Sequence, residues 1–207
     1  MNLTTVEAVK ARLTSGSKPI ADEDATADAT ILSLIRASSA HFEQATGRLF
    51  EKTGRTETLD TEAGDSRFAL RAFPVDAEAD LEVRIDSSRE FADETVIDPS
   101  LYYVDCARGH LVLDEPLTYC GAGILQVTYT GGLAEVDGTD GEFSSTIAEL
   151  APALVDACEL SVIESWNRRD GAGSQSTSFG DGSRTYEGGL KLIPLVQAVL
   201  NLYRRVM

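Results

Sequence analysis

Apolar positions recur at two different periods along this chain, and the change of period divides it into three stretches. Near the start, Val6, Val9 and Leu13 stand at helical spacing behind Thr4-x-x-Glu7. That capping-box pattern predicts a short helix, ended by Ser15-Gly16-Ser17-Lys18-Pro19. A longer helix is expected after the Asp-rich stretch Asp22 to Asp28, whose charges suit the positive end of a helix. Its inward stripe would be Ile31, Leu34, Ile35, Ser38, Phe42 and Ala45, with Gly47 as the C-terminal cap. From about 55 to 131 the period falls to two. Phe68-x-Leu70, Leu81-x-Val83-x-Ile85 and Leu125-x-Val127-x-Tyr129 alternate apolar with polar residues, as half-buried strands do. Leu101-Tyr102-Tyr103-Val104 and His110-Leu111-Val112-Leu113 flank Ala107-Arg108-Gly109, which reads as a hairpin turn. Pro74, Pro99 and Pro116 then fall at strand ends or edges, where a missing N–H is tolerated.

After a polar linker from Gly131 to Ser145 the helical period returns. Thr146-x-x-Glu149 reads as the cap of a short turn, and Pro152 as the first residue of a main helix. That helix runs through Leu154, Ala157, Cys158, Val162 and Ile163 to Trp166-Asn167-Arg168-Arg169, with two cations at its negative end. A twenty-residue glycine- and serine-rich loop, Asp170 to Gly189, follows; a structureless connection of that length points to function or disorder. The last helix opens at Pro194, and Leu195, Val196, Val199, Leu200, Leu202 and Tyr203 make it apolar over a broader face than a surface helix needs. The fold class is therefore α+β: a bundle of about four helices with an inserted antiparallel β segment, not a βαβ fold. The organisation expected is 1–54 for the N-terminal helices of the core and 55–131 for the β-rich insertion. Residues 132–207 supply the C-terminal helices of the same core, with the extended loop at 170–189.

Composition narrows the function classes. No apolar run approaches the roughly 18 residues that cross a bilayer, and the first residues lack a basic start and an apolar core. No membrane partner and no signal peptide are expected. Cys106, Cys120 and Cys158 are odd in number and lack metal spacing, so they read as reduced thiols of a protein made in the cytoplasm. The net charge of −16 repels phosphate backbones and excludes groove-tracking DNA binding. The charge is uneven. Residues 56–105 hold fourteen acidic against four basic side chains, whereas the stretch from Trp166 onward holds three against six. Plain solubility accounts for the acidic surface, and so does a surface that must face DNA without holding it.

Catalytic constellations are thin. His41 reads as a partly exposed helix residue and His110 as a strand-surface residue, and there is no Gly-x-Ser-x-Gly, no His-Glu-x-x-His and no phosphate loop. Asp137 to Gly141 resembles a calcium loop, but aligning Gly141 as its turn glycine puts Val136 first and Ile147 where a glutamate is needed. No catalytic residue, cofactor or metal ligand is assigned. Interaction features are stronger. Trp166, Arg168 and Arg169 combine the side-chain types enriched at binding hot spots, although a core tryptophan with solvated helix-end cations explains them equally. Phe179, Arg184 and Tyr186 interrupt the small residues of the loop and suit ordering by a partner. Tyr203, Arg204 and Arg205 close the last helix, as dipole partners or as contacts to an acidic neighbour.

Taken in order, these pieces resemble the head–tail connector (adaptor) proteins of long-tailed phages and of related particles such as gene transfer agents. The resemblance lies in Ile31-x-x-Leu34-Ile35-x-x-Ser38-x-x-x-Phe42-x-x-Ala45-Thr46-Gly47-Arg48 and in Val127-Thr128-Tyr129-Thr130-Gly131-Gly132. It continues in Pro152-x-Leu154-x-x-Ala157, Trp166-Asn167-Arg168, Ser183-Arg184-Thr185-Tyr186, Ile193-Pro194 and Leu202-Tyr203-Arg204-Arg205. It covers roughly 20–55 and 125–207. Two departures stand out: the β segment is longer than in the compact all-helical members, and Trp166 stands where tyrosine is commoner. The resemblance implies a structural virion protein at the head–tail junction. Such connectors form a homo-oligomeric ring, usually of twelve copies, beneath the portal protein. They extend the channel through which DNA passes and dock a tail-side stopper or terminator. Two other readings remain: a capsid or tail accessory module binding through the β segment, and a small carboxylate-dependent hydrolase or lyase.

Overall fold

The computed structural model describes residues 1–14, 24–118, 120–137, 143–169, 176–179, 182–185 and 193–205, the paired strands between 176 and 185 by their backbone alone. The chain divides into two compact units, one of residues 1–45 with 139–203 and one of residues 46–138 with 204–207. The α+β reading holds: among the described residues, four substantial helices and one short one accompany antiparallel sheets.

The first unit is helical. Helix α1, Val6–Thr14, starts one residue later in its capping pattern than expected. Thr5, not Thr4, accepts the Ala8 N–H at 3.2 Å, while the Thr4 hydroxyl donates to Glu159 at 2.9 Å. Helix α2, Ala25–Thr46, is capped by Asp24, whose carboxylate accepts the N–H groups of Thr26 and Ala27. Ile31, Ile35, Ser38 and Phe42 are buried as the spacing predicts. Ala45 is exposed instead, and Ser39 and Thr46 take the inward positions, because 3.6 residues per turn carry the stripe sideways over six turns. The Ser39 hydroxyl uses its burial, accepting the Leu3 N–H at 3.0 Å and lying 3.9 Å from the Cys158 sulfur.

Helix α3, Ile147–Leu150, forms without the expected Thr146 cap; Thr146 is itself in a helical conformation and its side chain bonds no helix N–H. Helix α4, Pro152–Arg168, does begin on its proline and buries Leu154, Ala157, Cys158 and Val162. It is tied to α1 by Arg12, which reaches Asp156 at 2.5 Å and Glu159 at 3.0 Å. Helix α5, Pro194–Tyr203, buries Val196 and Leu200. The stretch expected to be a structureless loop contains an antiparallel hairpin, Ser176–Phe179 with Gly182–Thr185, in which Thr177 faces Arg184 and Phe179 faces Gly182.

The second unit holds two three-stranded antiparallel sheets. Strands β1 (Thr53–Thr61), β6 (Gly121–Gly131) and β3 (Glu82–Ile85) form one, in the order β1-β6-β3. Strands β2 (Arg67–Ala69), β5 (His110–Leu113) and β4 (Tyr102–Asp105) form the other, in the order β2-β5-β4; the hairpin pair at 176–185 is β7 and β8. Phe68, Leu70, Val83, Leu111, Leu113, Leu125, Val127 and Tyr129 build a common core. Each fully buried side chain of this size contributes about 1.5–3 kcal/mol. The alternation that predicted β2, β3 and β6 is therefore the alternation of core and surface. Strand β1 was not legible as a strand: only Leu59 among its nine residues is large and apolar, and pairing with β6 from Thr53↔Gly131 to Leu59↔Leu125 places it. Gly132 closes the sheet's end at φ +134°, where a side chain would run into the Glu51 backbone. Only glycine fits there.

Candidate interaction surfaces

Trp166 stands half-buried in the last turn of α4, and the Arg169 guanidinium lies 3.6 Å over its ring while donating to the Trp166 carbonyl at 2.8 Å. This stack gives the Trp166 carbonyl, near the helix end, a side-chain donor and desolvates one ring face by a cation–π contact. Arg168 donates to Glu164 one turn earlier at 2.6 Å. Both arginines are thus held by their own helix, and Asn167 is exposed between them. Beside this end, Leu34, Ala37 and His41 of α2, Glu164 and Arg168 of α4 and Val196 of α5 line a cavity of about 350 Å³. The walls are mainly apolar, with His41, Glu164 and Arg168 contributing polar groups.

Among the other residues singled out from the sequence, Tyr203 and Arg205 are half-buried and Arg204 is exposed. The Arg205 N–H donates to the carbonyl of Thr46, the last residue of α2, at 2.8 Å. That bond satisfies a C-terminal carbonyl that the helix itself cannot pair. The backbones of Phe179 and Arg184 lie in the β7–β8 hairpin; their side chains and the whole of Tyr186 lie outside the described residues. The residues of α4 and α5 share the helical unit.

Two features went unread in the sequence. Arg48 is buried, with its guanidinium 3.5 Å over the Phe73 ring and one nitrogen donating to the Phe73 carbonyl. It directly follows Gly47, which leaves α2 at φ +67°, so an arginine behind a helix-ending glycine was the available signal. His110, expected on a strand surface, is 5% exposed, with Nδ1 2.7 Å from an Arg67 nitrogen. The alternation did put it on the outer face, but there it meets Arg67, which no period can foretell. His41 is exposed. Among the described residues no group of three or more His, Cys, Asp and Glu side chains is placed to hold a metal. No described helix is long and apolar enough to cross a membrane.

The geometry is one of helix ends, aromatic–arginine stacks and sheet edges. A family model described as head completion protein matches residues 2–206, nearly the whole length. The chain belongs to the head completion protein family. The resemblance to head–tail connectors is borne out at that level. Solved assemblies contain chains with the same fold. One, from the neck of an empty gene transfer agent particle computed with C6 symmetry, is 20% identical over 99% of this chain and 91% of that one, with a TM-score of 0.58. Another, from the virion of a native gene transfer agent particle, is 18% identical over the same shares, at 0.56. A third, from the neck of a native particle computed with C12 symmetry, is 22% identical over 87% of this chain and 84% of that one, at 0.51. No curated protein sequence matches the chain.

Proposed function

We propose that this protein is a structural head–tail connector of a phage or phage-like particle, without catalytic activity. It assembles as a ring, of twelve copies, beneath the portal protein, extends the DNA channel and docks a tail-side stopper or terminator. The single observation that carries the reading is the family match from residue 2 to residue 206. The fold shared with neck chains of gene transfer agent particles supports it. So does the charge: at −16, the protein repels passing DNA at long range and lets it slide. Trp166, Arg168 and Arg169, the hairpin residues Phe179 and Arg184 with Tyr186, and Tyr203, Arg204 and Arg205 are the proposed contacts to the portal or to a neighbouring copy.

Electron microscopy of particles made with and without the gene tests this reading. Particles lacking the protein should package DNA, fail to join stable tails and lose a ring of density at the portal vertex. Trp166→Ala, or truncation before Leu190, should give the same unjoined heads. Normal tailed particles from the truncated chain would exclude a docking role for the C-terminal segment.

A further inference from the structure

Of the six large apolar side chains left in solvent among the described residues, Leu150 lies on α3, Leu195 and Leu202 lie on α5, and Val96, Leu101 and Tyr103 lie in the β unit. On α5 the inward stripe is Val196 and Leu200, both buried. Leu195, Val199 and Leu202 stand at i, i+4 and i+7 and form a second stripe on another face of the same helix. Leu195 is 55% and Leu202 81% exposed. Pro194–Tyr203 carries no charge, and the exposed Arg204 follows it. In the β unit, Val96, Leu101 and Tyr103 are 40%, 52% and 60% exposed. Tyr102 and Val104 pack on the core, so alternation turns Tyr103 outward on β4, which ends its sheet, and Leu101 closes the single 3-10 turn, Pro99–Leu101, that leads into it. Exposed carboxylates of Asp93, Glu94 and Asp98 border this edge in the chain.

We infer that two of these surfaces meet between copies: the Leu195–Val199–Leu202 stripe of one copy covers the Leu101–Tyr103 edge of the next, while Val96 bridges to Arg84 in the other sheet. Arg204 of the first then faces the acidic border of the second. A head-to-tail contact needs two different and complementary surfaces on the same chain. An uncharged helix face followed by an arginine complements an apolar strand edge bordered by carboxylates. The chain thus carries both halves of the contact, which selects a second copy as the occupant. The inference rests on the connector reading, which calls for a ring without saying which surfaces close it.

Cross-linking in assembled particles tests it. In a Cys120→Ser background, which removes the exposed native thiol, Leu202→Cys and Tyr103→Cys are combined and treated with a short bis-maleimide. A ladder of covalent multimers beyond the dimer is expected, and neither single variant should give one. Both positions are exposed, so the substitutions leave the core intact. Incorporation without a ladder, a product that stops at the dimer, or adducts of position 202 with another particle protein would overturn the inference and leave the connector reading standing. Absence of the wild-type chain from tailed particles would overturn both. In a second measurement, Leu202→Asp should reduce chain incorporation about tenfold, as loss of a central apolar anchor does; unchanged incorporation would count against the contact.

Discussion

Single side chains show most directly what burial does to chemistry. Tyr129 is 1% exposed, and its hydroxyl donates to Glu57 at 2.6 Å while accepting the Ala72 N–H at 3.0 Å. Burial, then the hydrogen bond with Glu57, raises the phenol's pKa well above its ordinary value, so it remains a donor. Tyr129→Phe leaves the buried Ala72 N–H unpaired and takes one donor from Glu57, which keeps the Arg71 N–H, and should cost about 1–3 kcal/mol, read as a lower urea midpoint at unchanged slope. Cys158 is fully buried on α4, and burial pushes its thiol up to about 12. At pH 8 a thiol reagent should label the exposed Cys120 first and reach Cys158 only after denaturant is added, as mass spectrometry of timed samples would show. The packing of Cys158 was readable from its helical spacing. The burial of His110 was not, and its partner, Arg67, lies forty-three residues away in the chain.

Elements were legible where their ends carry their own chemistry. Pro152 and Pro194 open α4 and α5, and the acidic stretch before α2 supplies its cap. Asp24→Ala should therefore lower stability by about 1 kcal/mol, with Asp24→Asn retaining most of it; thermal melts followed at 222 nm would check both. Rules of this kind slip where two candidates adjoin: Thr4 and Thr5 both suit a cap, and tertiary packing against Glu159 takes Thr4 away. Strand β1 failed for the opposite reason, since a polar strand gains its place from cross-strand bonds to β6 and not from a pattern of its own. The β7–β8 hairpin was hidden in the same way by small and polar residues.

At the scale of the whole molecule, charge sets the behaviour. Asp76, Asp86, Asp98 and Asp105 all titrate below the usual carboxylate range. Lys52 is the first cause for Asp76, the Ser88 side chain for Asp86, and backbone N–H groups for Asp98 and Asp105. Because the folded values lie below the unfolded ones, their contribution is complete above about pH 4 and is lost as the pH falls through the folded values. Acid unfolding should begin below about pH 4, seen as a loss of ellipticity on titration; a protein unfolding already at pH 6 would contradict this. The sequence by itself determined the α+β class, the starts of the proline-led helices, the turn between β4 and β5, and the signatures that led to the family. These are local rules, in which a residue's neighbours in the chain are also its neighbours in space. Tertiary structure alone decided that Arg67 bonds the buried His110, that Arg48 stacks on Phe73, and that α5 has one apolar face buried and another open. Each depends on which groups from distant parts of the chain arrive at the same place, and periodicity reports only that a face is apolar, not what covers it.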